Sequence, residues 1–156
     1  MDAEKYLRQI RTEEEKIRRK KEEKDRWETI AASTTSDMGG ERVQSSGNPQ
    51  KMADAVIRCV EIQMEIDASI RKLLEIDRVV SGIIKNLPAI EHDLIYKHYI
   101  GMVEKDEKGN TKIAYLSLRD IAVQYNKSYP WATAVHRRAL KKVQDMMDQK
   151  EKDGEK

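Results

Sequence analysis

The side chains best suited to chemistry lie in one segment near the C-terminus. From Lys127 through Gln144 the sequence contains Lys and Arg but no Asp or Glu. Within this segment four residues recur at intervals of four, so a helix would present them on one face: Tyr129, Thr133, Arg137 and Lys141. Hydroxyls and guanidinium forks on one row can contact phosphates and base edges of nucleic acid together. The residue types therefore indicate a nucleic-acid-binding face.

Two helices are predicted to position this row. Ser117 and Asp120 have the spacing of a capping box, and the stripe Leu118, Ile121, Ala122 and Tyr125 predicts a short amphipathic helix that ends near Asn126. Ser128 then caps a second helix with a predicted buried stripe, which consists of Ala132, Val135, Ala139, Val143 and Met146. Two helices joined by so short a turn, the second of them basic, are typical of a helix-turn-helix.

Each candidate contact has an expected role. The first turn of the second helix enters the major groove, so Tyr129, Trp131 and Thr133 are expected nearest the base edges. Arg137 is the best candidate for a bidentate contact. The remaining cations are expected on phosphates, where they add affinity without sequence information: Arg119, Arg138, Lys141 and Lys142. His136 is expected either to cover the helix interface or to donate to a phosphate.

The segment before this pair is predicted to support it. LPAIEHDLIYKHYIGM begins at Leu87, and a helix from Pro88 that ends at Gly101 would place Ile90, Leu94 and Ile95 on one side. In residues 102–116 a Gly-Asn pair lies between short apolar patches, which predicts a small β-hairpin or wing.

The C-terminal segment resembles region 4 of the sigma-70 family. In that region an upstream helix precedes an acidic-Ile-Ala helix, a serine-capped turn and a recognition helix that ends in an Arg-Ala-Leu-Lys-Lys run. The matching residues here are Asp120, Ile121, Ala122, Ser128 and the run from Arg138 to Lys142. The link at 102–116 is longer than the family's, and the chain has no counterpart of the sigma region that melts promoter DNA.

A wider resemblance includes the preceding helix and its opening stretch VQSSGNPQKM. Together these are similar to phage-encoded regulators of Gram-positive bacteriophages and prophages, of the ArpU and RinA type. That resemblance implies a sequence-specific transcriptional regulator of phage or prophage genes that binds double-stranded DNA, and it raises host RNA polymerase as a partner. It implies no cofactor.

The first third of the sequence is predicted to form a charged, solvated helix followed by a linker. Residues 1–32 are rich in Glu, Lys and Arg at i,i+4 spacing, which predicts a solvated helix with a thin apolar stripe. That stripe consists of Leu7, Ile10, Ile17, Trp27 and Ile30. Residues 33–48 have the composition of a linker, with Asn48 as an N-cap before Pro49. The overall expectation is an all-α protein with coiled-coil-like N-terminal helices, a helix-turn-helix domain at 88–147 and a disordered tail at 148–156.

A heptad seam is predicted for the helix at 49–87. Its members alternate by four and three: Met52, Val56, Cys59, Gln63, Ile66, Ile70, Leu73, Asp77, Val80, Ile84 and Leu87. The seam needs a helical partner, which is the N-terminal helix, a second copy of the chain, or both. A homodimer or other homo-oligomer through residues 52–87 is therefore expected.

Other chemistry finds little support in the sequence. Cys59 is the only cysteine, so no internal disulfide or cysteine-based zinc site is expected. No metal-ligand spacing, phosphate loop or nucleophile motif stands out, which argues against an enzyme. No apolar run is long enough for a membrane span and the first residues lack a secretory signal, so a cytoplasmic location is expected.

Two alternatives remain open at this point. A helix-turn-helix fused to oligomerising helices also occurs in phage packaging proteins such as a terminase small subunit. A coiled-coil adaptor whose basic helix binds another protein is the third candidate. Mass in solution and the sequence dependence of DNA binding distinguish the three.

Overall fold

The computed structural model describes residues 2–37 and 49–154. Its elements are α1 (Ala3–Asp37), α2 (Pro49–Ile84), α3 (Ala89–Ile95) with a π-helical continuation (Tyr96–Ile100), β1 (Met102–Lys105), β2 (Thr111–Ala114), α4 (Leu118–Gln124) and α5 (Tyr129–Gly154). The strands form an antiparallel hairpin whose register runs from Met102 opposite Ala114 to Lys105 opposite Thr111. The mostly helical class with one small hairpin is therefore as predicted.

The described residues form two compact units. Residues 13–74 make up a helix-pair unit, and the residues up to Thr12 join those from Glu75 onward in a C-terminal unit. The sequence instead suggested that the C-terminal domain begins at residue 88. The difference arises because the ends of both long helices pack with the C-terminal elements, a long-range contact that local patterns do not encode.

The helix-pair unit packs α1 against α2 in antiparallel fashion. Its buried cluster is formed by Ile17, Ile62 and Ile66, with Trp27 and Leu73 packed against it. Ion pairs join the two helices at matching levels: Lys20 to Glu65 at 2.5 Å, Arg58 to Glu23 at 2.9 Å and Lys72 to Glu13 at 2.9 Å. In this unit α1 of the same chain is therefore the helical partner that the seam of α2 requires.

The buried seam of α2 differs from the predicted one on one flank. Seven of the ten predicted members within α2 are buried or half-buried: Met52, Cys59, Gln63, Ile66, Leu73, Val80 and Ile84. Every second member, however, has a buried residue one position before it. The buried residues at those positions are Ala55, Ile62, Ser69, Ile76 and Ile83. Because a shift of one residue turns the stripe by about 100° at each such position, α1 must lie towards that flank. Val56 is instead 47% exposed, and Asp77 is exposed rather than a seam interruption.

The first turns of α1 belong to the core of the C-terminal unit. Ala3, Leu7 and Ile10 are at most 2% exposed. The Ala3 amide also donates a 2.7 Å hydrogen bond to Oε1 of Gln144 on α5. Leu7 and Ile10 are thus apolar and buried, as predicted for the stripe of the first helix. They pack in the C-terminal unit, however, and not in the helix-pair unit.

Gly101 connects the π-helical segment to the hairpin. Its φ of 86° lies in the left-handed region, and a Cβ there would come within 2.6 Å of Ile113 Cγ2 and 2.9 Å of the Ala114 carbonyl oxygen. Only glycine both adopts this φ readily and has no Cβ to make these close contacts. The predicted helix end at Gly101 is thereby confirmed.

Several predicted helix ends differ from the observed ones. Helix α1 continues to Asp37 rather than ending at 32, and α5 continues to Gly154, through most of the tail that was predicted to be disordered. Bonds at i,i+4 spacing, such as Gln144 to Asp148 at 2.9 Å, support the extension of α5. The Asn48 cap and residues 38–48 of the predicted linker lie outside the described residues.

Leu7→Ala is expected to destabilise the C-terminal unit by about 2–5 kcal/mol, because it removes a fully buried side chain from the core of that unit. The measurement is urea unfolding of the full chain in a Trp27→Phe background, where Trp131 is the remaining tryptophan fluorophore. Lys5→Ala, at an exposed position on the same helix, serves as the matched control. An unchanged midpoint for Leu7→Ala would show that these turns are not part of the unit.

Candidate nucleic-acid interface

Helix α4 begins with the capping box that the sequence predicts. Ser117 Oγ accepts from the Asp120 amide at 3.1 Å, and Asp120 Oδ2 accepts from the Ser117 amide at 3.3 Å. Two backbone N–H groups at the helix start are thus satisfied by side chains. Ile121 and Ala122 are buried, as predicted for the apolar stripe.

The turn between α4 and α5 is a Schellman motif. Asn126 has a φ of 54°, in the left-handed region where asparagine is better tolerated than most residues. The Lys127 amide bonds to the Ala122 carbonyl at 2.8 Å and the Asn126 amide to the Val123 carbonyl at 3.1 Å. This pairing satisfies the last carbonyls of α4 and fixes the direction in which the chain enters α5.

Helix α5 begins after Ser128, whose Oγ accepts from the Trp131 amide at 3.3 Å. Its buried stripe contains the predicted Ala132, Val135, Ala139 and Val143. The last member is Met147 rather than the predicted Met146, because the stripe takes a step of four instead of three after Val143. The stripe faces α3 and α4, which both contact α5.

The opposite face of α5 carries the predicted row. Tyr129, Arg137 and Lys141 are exposed, and Thr133 is half-buried with its hydroxyl donating to the Tyr129 carbonyl at 3.1 Å. Ala134 is also exposed on this side, and sequence reasoning did not assign it to the face. A small residue there would permit close approach of the helix backbone to a groove.

Trp131 has a different environment from the one expected for a base contact. Its ring lies 5.6 Å from that of Tyr125, and it is half-buried at the junction of α4 and α5. The sequence predicted groove contact for Trp131, whereas its geometry favours packing against Tyr125. Arg119 stacks its guanidinium 4.9 Å from the centre of the Tyr129 ring, so two candidate residues on neighbouring helices lie side by side.

A buried carboxylate that the sequence did not reveal lies beneath two of the candidate cations. Glu91 on α3 is 6% exposed, and its Oε1 lies 2.9 Å from Lys142 Nζ and 4.0 Å from Arg138 Nε. Its other oxygen is buried without a hydrogen-bond partner. Ile90, which was predicted to lie on one side with Leu94 and Ile95, is 46% exposed while those two are buried, so α3 is rotated relative to the expected orientation. No local pattern links Glu91 to residues about 50 positions away.

A polar network fastens α4 to α3. Tyr125 Oη donates to Asp93 Oδ2, and Lys97 Nζ lies 2.8 Å from the same carboxylate and donates to Gln124 at 3.0 Å. The bond to Asp93 raises the pKa of Tyr125 to about 12. Burial alone would raise the pKa of Asp93, but the bonds from Lys97 and Tyr125 outweigh it and the pKa is lowered.

His136 faces the interior of the unit. Its Nε2 is 2.6 Å from Tyr99 Oη, and its ring centre is 5.5 Å from that of His98. His98 Nδ1 in turn donates to the Leu116 carbonyl at 2.7 Å. Burial, and then the neighbouring His98, lowers the pKa of His136 from its ordinary value of 6.5. Of the two roles expected for His136, the geometry supports covering the helix interface.

The same residues offer little for other kinds of site. Across residues 2–37 and 49–154, no three His, Cys, Asp or Glu side chains are grouped closely enough to hold a metal ion. No helix in these ranges is both long and apolar enough to cross a membrane. Comparison with known proteins adds nothing further, since no family model, curated protein or solved structure matches the chain.

Stability is expected to fall as the pH is lowered from about 8 to about 5. Because folding lowers the pKa of His136, the unfolded chain takes up a proton first, and stability present above pH 6.5 is lost below it. The measurement is the free energy of unfolding across this pH series. His136→Gln removes the titrating group, so its stability should fall less steeply than the wild type's; parallel curves would contradict the assignment.

Proposed function

We propose that the protein is a non-enzymatic, sequence-specific DNA-binding regulator of transcription, with α5 as the recognition helix. The observation that carries this proposal is the exposed cationic row on α5. That helix follows α4, which begins with a capping box and ends in a Schellman turn, and α5 itself is capped by Ser128. A rigid short helix followed by a longer basic one is the arrangement by which helix-turn-helix proteins enter the major groove.

The charge on α5 is compatible with duplex DNA. Arg137 and Lys141 are exposed on the face opposite the buried stripe, and Tyr129 and Ala134 lie towards the N-terminal end of that face. Recognition helices contact base edges mainly through their N-terminal residues. We therefore assign base contact to the exposed face of α5 from Tyr129 to Arg137 and phosphate contact to Lys141 and to Arg119 on α4.

Arg138 and Lys142 have a different part in the proposal. Both lie beside Glu91, so each would have to leave or share a buried carboxylate to reach a phosphate. Glu91 is 6% exposed, so moving both cations away would leave its buried carboxylate without a countercharge, which is costly. Arg138 and Lys142 are therefore expected to contribute less to DNA affinity than two cations without an acidic neighbour would.

The wider biological setting follows from the sequence resemblance. We propose that the protein acts in the cytoplasm on phage or prophage promoters, with host RNA polymerase as a further partner. The half-buried free thiol of Cys59 is compatible with a reducing compartment.

Arg137→Ala is expected to weaken binding to a preferred duplex by about 10- to 100-fold and to relax its sequence preference, as loss of a bidentate base contact would. The measurement is selection from a random duplex library across a salt series, followed by affinity for the enriched motif. Lys152→Ala is the matched control, because it removes an exposed cation from the end of the same helix.

The outcomes of that selection separate the candidate functions. An enriched motif that Arg137→Ala relaxes supports the regulator. Tight binding without any motif, with a steep salt dependence, favours a packaging protein such as a terminase small subunit. No binding even at low salt rules out DNA as the ligand and leaves the adaptor.

Glu91→Gln is expected to strengthen binding to non-specific duplex, because Lys142 and Arg138 are released from the carboxylate. Each further phosphate that a released cation neutralises steepens the slope of log affinity against log salt by about 0.9. Asp153→Asn removes the same charge from an exposed position on α5 and should leave the slope unchanged. Equal slopes for Glu91→Gln and wild type would show that Glu91 does not restrain these cations.

A further inference from the structure

Helix α2 carries a second apolar stripe in the helix-pair unit. Its large members are well exposed, with Val56 at 47%, Ile57 at 55%, Val60 at 56%, Met64 at 65% and Leu74 at 63%. At 100° per residue the stripe is centred about 140° around the helix from the seam that α1 covers. An amphipathic helix on a protein surface normally has one apolar face, so a helix with two such faces is suited to two partners.

The charges within the stripe indicate what the second partner is. Asp67 and Arg71 lie between Met64 and Leu74, and the positions 57, 60, 64, 67, 71 and 74 alternate by three and four as a heptad seam does. Asp67 also accepts a 2.9 Å hydrogen bond from Gln63 of the same helix. An acid and a base one turn apart on an otherwise apolar stripe make it self-complementary when it is reversed.

A second copy of α2 that runs antiparallel to the first would match these acidic and basic residues. With the two-fold axis at the level of Ser69, Asp67 of each copy faces Arg71 of the other, and Met64 faces Leu74. A two-fold interface requires such reciprocal pairs. In a parallel arrangement Asp67 would face Asp67 and Arg71 would face Arg71, which is unfavourable.

We propose that two copies of the chain associate through this α2 stripe, antiparallel and centred between Asp67 and Arg71. Apart from Val56, this surface does not include the seam that the sequence predicted for self-association, since α1 covers part of that seam within the chain. The proposal does not depend on DNA binding, and its test contains no DNA, so each proposal can fail without the other.

The first measurement is sedimentation equilibrium of the full chain over a range of concentrations. The expected result is a weight-average mass that rises from 18.1 kDa towards twice that value and no further. Met64→Lys should hold the protein at the monomer mass, because it places a charge in the apolar stripe. Val103→Lys is the matched control, since Val103 is 66% exposed on the hairpin and lies outside the proposed interface.

Charge reversal tests the antiparallel pairing itself. Asp67→Arg or Arg71→Asp alone converts both reciprocal pairs to like charges and should weaken association about 10-fold. The double variant restores both pairs and should recover wild-type association. Circular dichroism melts of the same proteins exclude loss of helix as the cause.

Three results would overturn the proposal. A monomer at all concentrations would show that the stripe does not bind a second copy. Single charge reversals without effect would exclude the antiparallel pairing. Assemblies larger than a dimer would mean that association does not close on a two-fold axis.

Discussion

Helix α5 buries Ala132, Val135, Ala139 and Val143 against α3 and α4, and this packing determines which of its faces remains for solvent. Two of these four residues are alanines, which allow neighbouring helices to approach closely. Once the stripe is buried, the helical period places the cations on the opposite side. The position of the candidate interface is thus a consequence of core packing, and the capped turn before α5 adds the direction from which the helix projects.

Polar groups beneath the interface constrain it further. Glu91, Asp93 and the Tyr99–His136 pair each connect a C-terminal helix to the α3 segment through charged or hydrogen-bonded contacts. Buried and half-buried polar groups of this kind are costly unless they are paired, so they favour one arrangement of the helices over others. The Glu91 contacts also restrict Arg138 and Lys142, which links the stability of the unit to the charge available for a ligand.

Much of the C-terminal architecture could be predicted from the sequence because its signals are local. The Ser117–Asp120 box, the helix end at Gly101 and the buried stripe of α5 each depend on residues within a few turns. Predictions that depended on distant partners fared worse. The flank of the α2 seam, the exchange of Ile90 for Glu91 as the buried residue, and the packing of Leu7 with the C-terminal unit are set by contacts between segments far apart in the chain.

The most direct test of the central claim is a titration of the isotope-labelled full chain with a short duplex at low salt, followed by backbone amide chemical shifts. The account predicts that the largest shifts fall on the exposed face of α5 from Tyr129 to Lys141 and on the start of α4 near Arg119, with the buried face of α5 less affected. Shifts confined to α1 and α2, or no shifts at all, would contradict the assignment of α5 as the recognition helix.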